Sequence, residues 1–199
     1  MHTFNQLKTE YSTCTKCSSL CQSRSQVVFG SGNPQAQVVL VGEAPGAEED
    51  KQGIPFCGAS GKVLNELLQS INLSRDDIFI TNTILCHPEN NRPPAKEEVQ
   101  NCLDRLDQLI GIMQPKVIVT IGNFATERIL GKKGITSLRG KEFPIIIYNQ
   151  EIIVVPVIHP ANLLYNGRSP VILEQMKQDF QTIKKIIEKK GAQKSLGEF

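Results

Sequence analysis

Cysteine, acid and histidine positions define the chemistry open to this 199-residue chain. Cys14 and Cys17 form C-x-x-C, a spacing at which two thiolates reach one metal. Zinc, iron–sulfur and redox centres all use it, with zinc the usual default. Cys86 and Cys102 lie far downstream, and Cys21 and Cys57 complete the six. The first residues, MHTFNQLKTEYSTC, contain no apolar signal stretch. That argues against a disulfide scaffold and for the cytoplasm.

A second group of residues surrounds a glycine-rich stretch. VGEAPGAEEDKQGIPFCGASGK, from Val41 to Lys62, holds five glycines but also Glu43, Glu48, Glu49 and Asp50. The phosphate-loop reading fails on detail: Gly61-Lys62 is followed by Val63, and G-x-G-x-x-G is absent. Gly58, Ser60 and Gly61 still suit a helix start that offers N–H groups to a phosphate, or an ordinary cap. Phe56, between Pro55 and Cys57, reads as a core anchor or as a platform for a planar base. Asn82 closes a strand; its amide either caps a turn or reads a nucleobase edge, with donor and acceptor side by side. His159, before Pro160, is a structural histidine or a member of a site.

The elements that must hold these residues follow from periodicity. Residues 37–42, 78–82 and 116–122 read as strands, and the runs 144–148 and 152–158, split at Asn149-Gln150, as a hairpin or strand pair. Helical stripes cover 58–71, a segment opening at Pro94 or Ala95, and a last helix bearing apolar residues from 172 to 187. A short helix over 123–130 is capped by Gly131, and the chain frays from Gly191. Alternating strands and helices imply an α/β fold with a largely parallel sheet covered on both faces. Ligands gather beyond the carboxyl ends of such strands, where GEAPG, TNTILC and HPANLL fall.

Composition narrows the class. Hydrophobic residues make up 40% and charged residues 21%, as in a soluble globular protein, and no apolar run is long enough for a membrane helix. The net charge of +2 is weak evidence about partners, although both ends are basic and the middle is mildly acidic.

VGEAPGAEEDKQGIPFCGASG, TNTILCHPENNRPP and IHPANLL, with C-x-x-C upstream and Cys102 downstream, closely resemble the family 4 uracil-DNA glycosylases. The likeness runs from Cys14 to the last helix and includes TSLRG at 136–140. It implies one domain over 1–199, with an N-terminal arm of about thirty residues. The implied fold is a three-layer α/β/α uracil-DNA glycosylase-like one with a central, mainly parallel four-stranded sheet.

The resemblance also assigns roles. Cys14, Cys17, Cys86 and Cys102 would ligate a [4Fe–4S] cluster in place of the zinc default, leaving Cys21 and Cys57 as free thiols. The ligand would be a flipped-out uracil nucleotide from single- or double-stranded DNA, bound by a monomer and by no membrane. Glu43 would favour a positive sugar or position water, and His159 would donate to uracil O2. Gly42, Glu49, Phe56 and Asn82 would bind the base: Phe56 by stacking, Asn82 by pairing with N3–H and O4, Glu49 as a wall against the thymine methyl. Ser60, Lys62, Arg92, Leu163 and Arg168 would meet DNA, the loop after His159 (Leu163, Leu164, Tyr165, Arg168) filling the vacated stack and holding phosphate. Three rivals stand beside this reading: a non-catalytic iron–sulfur or zinc DNA-binding module, a glycosylase for another deaminated base such as hypoxanthine, and an electron-transfer protein.

Overall fold

A computed structural model describes residues 2–195, with side chains through 189. The strands are β1 (Ser31–Gly32), β2 (Val38–Gly42), β3 (Phe79–Asn82), β4 (Val117–Ile121), β5 (Phe143–Ile147) and β6 (Gln150–Val157). Every residue of β2, β3 and β4 is buried, as expected where helices cover both faces of a parallel sheet. The sheet order is β1-β3-β2-β4-β6-β5. The inner four strands are parallel, and β1 and β5 pair antiparallel at the edges.

The expected four-stranded sheet is therefore the parallel centre of a six-stranded mixed one. β1 is two residues long, too short for any periodicity to reveal it. The β5–β6 hairpin turns at Tyr148-Asn149, one residue earlier than the sequence suggested. Both residues have positive φ, 50° and 61°, as a tight two-residue hairpin turn requires.

The helices are α1 (Phe4–Ser12), α2 (Ser18–Ser23), α3 (Ala47–Gln52), α4 (Ala59–Gln69), α5 (Lys96–Met113), α6 (Gly122–Leu130), α7 (Ile135–Leu138), α8 (Ala161–Tyr165) and α9 (Pro170–Ser195). Strand side chains alternate between faces. Val38, Leu40, Val117 and Val119 pack with Leu64 and Leu67 of α4 and Phe180 and Ile183 of α9. Val39, Val41, Ile118 and Val154 pack with Leu7 of α1 and Leu106, Leu109 and Ile110 of α5. The three layers expected from the sequence are present. Helix α9 continues through Ser195, past Gly191 where fraying was expected; residues 196–199 lie outside the described residues.

The TSLRG stretch braces the last parallel strand. Gly140 N–H donates to Pro156 O at 2.8 Å, and Arg139 Nε meets the buried Asp179 of α9 at 3.0 Å. Burial pushes the Asp179 carboxyl up to about 6, with Arg139 opposing the shift. Among the described residues no helix is long and apolar enough to cross a membrane.

Candidate active site

The carboxyl ends of β2, β3 and β6 open into a cleft of about 600 Å³. Glu43, Glu49, Phe56, Ser60, Asn82, Arg92 and His159 all line it. These residues are separated by up to 116 positions in sequence, and the parallel sheet brings them together.

Gly42 lies beneath the cleft rather than in its wall. It is the register partner of Asn82 on the neighbouring strand. A Cβ at Gly42 would overlap Asn82 Oδ1 and stand 2.8 Å from the Phe56 ring. Glycine is needed there for close approach, not for an unusual backbone angle. Asn82 is 1% exposed, and its Oδ1 has no hydrogen-bond partner. A buried amide oxygen without a partner is costly unless a ligand meets it.

Phe56 sits at φ 53°, a left-handed conformation that is uncommon for a bulky residue. Arg75 holds it there, a residue the sequence reading missed. Arg75 donates to Pro55 O at 3.0 Å and to Phe56 O, while its Nε donates to Asn65 Oδ1 at 2.8 Å. The Phe56 ring lies 5.7 Å from the His159 ring at a 31° tilt, so both bound the same end of the cleft.

His159 follows β6, and its Nδ1 accepts from Ala161 N–H at 3.1 Å. Burial lowers its pKa, with the Glu49 charge acting the other way. Glu43 stands half-buried just after β2; its backbone carbonyl accepts from Ile84 N–H at 3.1 Å, while its carboxylate has no hydrogen-bond partner among the described residues. Burial raises its pKa.

The acids of the glycine-rich stretch separate by task. Glu49 Oε1 accepts from Gly58 N–H, the N-cap of α4, at 3.0 Å, so this carboxylate complements the helix N-terminus while it faces the cleft. Asp50 is buried and accepts from Ser25 N–H at 2.7 Å, which ties the N-terminal arm to α3. Glu48 pairs with Lys51 on the surface.

The expected DNA contacts divide. Ser60 lines the cleft and Lys62 is exposed on α4. Arg92 borders the cleft but is held by Glu98 through two bonds of 2.9 and 2.6 Å. Arg168 pairs with Glu66 at 2.7 Å and stays half-exposed. Leu163 corrects the sequence expectation: it is fully buried and packs in the core on the α4–α9 face. Its position on α8 turns it inward, away from the cleft surface. Tyr165, two residues on, is 87% exposed at the rim of the cleft.

Cys14, Cys17, Cys86 and Cys102 line a second, small and almost wholly apolar cavity, which excludes Cys21 and Cys57. Arg24 donates to Cys86 Sγ at 2.9 Å and to Cys14 O at 2.5 Å. Asn101 donates to Cys17 Sγ at 3.4 Å. Among the described residues no three His, Cys, Asp or Glu converge as ligands on one ion. None of the six cysteines is paired in a disulfide. Four soft donors around one cavity, with N–H donors behind two of the sulfurs, suit a metal centre held by thiolates.

Residues 29–185 match the family model of the Uracil DNA glycosylase superfamily. The chain is 43% identical over 192 residues to a type-4 uracil-DNA glycosylase of Sulfurisphaera tokodaii, covering 94% of this chain and 86% of that protein. A type-4 uracil-DNA glycosylase of Archaeoglobus fulgidus is 38% identical over 96% of both chains. One from Thermotoga maritima is 40% identical over 89% of this chain and 91% of its own length. The chain belongs to the Uracil DNA glycosylase superfamily and, within it, to the type-4 uracil-DNA glycosylases.

Proposed function

We propose that this cleft receives a uracil nucleotide extruded from DNA and hydrolyses the bond between uracil N1 and deoxyribose C1′. The reaction leaves an abasic site for base excision repair and does not cut the backbone. The observation that carries the reading is the buried, unpartnered Asn82 Oδ1 beside Gly42 and Phe56. It offers an acceptor to uracil N3–H, while the amide nitrogen suits O4. Cytosine has donor and acceptor exchanged along this edge. A mismatch in a dry pocket leaves polar groups unmet, at about 1–3 kcal/mol each.

Phe56 stacks on the ring, and Glu49 walls the cleft against the thymine methyl. As N1–C1′ lengthens, the sugar gains positive charge and uracil departs as an anion. The Glu43 carboxylate has no internal partner, so it is free to face the sugar or to hold the attacking water. His159 Nδ1 is occupied by Ala161 N–H. Its proton therefore sits on Nε2, from which it donates to uracil O2 as charge accumulates there.

Extrusion costs a few kcal/mol, least at mispaired or single-stranded bases. Uracil opposite guanine and uracil in single strands are therefore the favoured contexts. Ser60, Lys62, Arg92 and Arg168 contact phosphates, and Tyr165 fills the vacated stack in place of Leu163. Cys14, Cys17, Cys86 and Cys102 hold a [4Fe–4S] cluster, which supplies a covalent tie between the N-terminal arm and α5 when bound. The reading is supported by the four thiols sharing one cavity, backed by Arg24 and Asn101.

Incubation with oligonucleotides containing uracil, hypoxanthine or neither, followed by alkaline cleavage, tests the activity. Strand breaks confined to the uracil position are expected. Cleavage at hypoxanthine alone would make the chain a glycosylase for another base, and no cleavage anywhere would make it a binding module.

A further inference from the structure

Arg105 of α5 is completely buried, the largest such side chain in the described core, and it makes no salt bridge among the described residues. A guanidinium enclosed without a carboxylate is expensive, and an apolar side chain of similar volume would fill the space at lower cost. What Arg105 supplies beyond packing is a set of donors. Its Nη2 donates to Asn82 O at 2.5 Å and to Thr83 O at 3.0 Å. Its Nη1 donates to Thr81 Oγ1 at 3.2 Å, and that hydroxyl in turn donates to Phe29 O.

The sheet explains why this strand end needs them. β1 reaches β3 only at Phe79 and Ile80. Beyond Ile80 no strand flanks that edge of β3 among the described residues, and Arg105 takes the place of the missing neighbour. The Asn82 side chain makes no hydrogen bond of its own. Its placement therefore depends on its backbone, and Arg105 grips that backbone directly. Arg105 also stands one helical turn after Cys102, while Cys86 lies three residues after Thr83. The clamp thus joins the cysteine-bearing face of α5 to the residue that meets the base.

We infer that Arg105 is a positioning residue for uracil recognition, acting through the backbone of Asn82 without touching the base. This rests on the proposed role of Asn82. The test is a double-mutant cycle with Arg105→Met, Arg105→Lys and Asn82→Ala. Single-turnover excision from a uracil oligonucleotide is measured per folded, iron-loaded molecule, beside melting temperature and iron content. Asn82→Ala should slow excision roughly ten- to hundredfold, the scale of one unmatched buried polar group. Arg105→Met should slow it by roughly tenfold in the natural background and by less than about twofold when Asn82 is already alanine. Arg105→Lys, which keeps the charge and fewer donors, should fall between and carries the cycle if the methionine variant does not fold. Equal slowing in both backgrounds, or a lower melting temperature with excision per folded molecule unchanged, would overturn the inference. An undiminished rate in Asn82→Ala would instead overturn the reading of the site, and the clamp with it.

Discussion

The backbone N–H of Ala161 donates to His159 Nδ1 at 3.1 Å, and this bond decides which nitrogen of the imidazole carries the proton. A neutral ring carries one proton, and with Nδ1 accepting, that proton sits on Nε2. Burial reinforces the neutral form by lowering the His159 pKa. Near pH 7 the ring is a donor without charge, aimed from the end of β6 into the cleft.

A donor of this kind matters most when the leaving base becomes anionic. His159→Ala is expected to slow single-turnover excision by roughly 10²–10³, the scale for one oxyanion-type donor. Binding to DNA carrying an uncleavable uracil analogue should weaken much less, because phosphates supply most of the affinity. If melting temperature falls while excision per folded molecule is preserved, His159 is structural.

Glu43 and His159 shift in opposite directions, which brings their titrations closer together, so variants are needed to tell them apart. Burial raises Glu43 and lowers His159. The acid limb of the excision rate should therefore lie above the ordinary glutamate value. It should persist in His159→Gln, at a lower rate, and vanish in Glu43→Gln. The stability effect has a definite sign. A carboxyl raised in the folded state favours folding when protonated, and that contribution is lost as pH rises through the folded pKa. Glu43→Gln should then raise the melting temperature at pH 7, with the gain shrinking on acidification. Thermal melts across pH check this, and a gain that grows toward acid would contradict it.

The four lining cysteines differ from the other two in what surrounds them, and iron analysis reads that difference. Anaerobically purified protein should be brown and hold about four irons per chain. Cys14→Ala should lower the iron content and the melting temperature. Cys21→Ala should change neither, since Cys21 lies outside the shared cavity. Stoichiometric zinc in freshly prepared native protein would refute the cluster.

Much of this arrangement was legible because strong local signals coincide with it. The parallel strands are built around runs rich in Val, Ile and Leu, and Glu43, Asn82 and His159 follow or close three of them. What escaped notice depends on contacts distant in sequence. Arg75 and Arg105 resemble surface residues of their helical segments, yet each holds backbone carbonyls from another element. Arg92 and Arg168 read as free phosphate ligands because nothing local reveals Glu98 and Glu66 as their partners. Leu163 and Tyr165 lie two residues apart on α8, a separation that puts them on different sides of a helix. Only packing against α4 and α9 decides which of them points inward.

That division on α8 gives the last prediction. Tyr165 is exposed at the rim of the cleft, whereas Leu163 is enclosed in the core. If the Tyr165 ring occupies the space left by the extruded base, it replaces stacking worth about 1–3 kcal/mol. That benefit applies to paired DNA, where a stack is broken, far more than to a single strand. Tyr165→Ala should slow excision from a uracil–adenine duplex by roughly five- to fiftyfold. Excision from single-stranded DNA should change by less than about twofold, and melting temperature should not change. Leu163→Ala should behave in the opposite way, costing about 2–5 kcal/mol of stability through the cavity it leaves. Its effect per folded molecule should be the same on both substrates. Comparing the duplex-to-single-strand rate ratio of the two variants decides the matter. A ratio unchanged in Tyr165→Ala but altered in Leu163→Ala would return the wedge to Leu163 and require α8 to turn over when DNA binds.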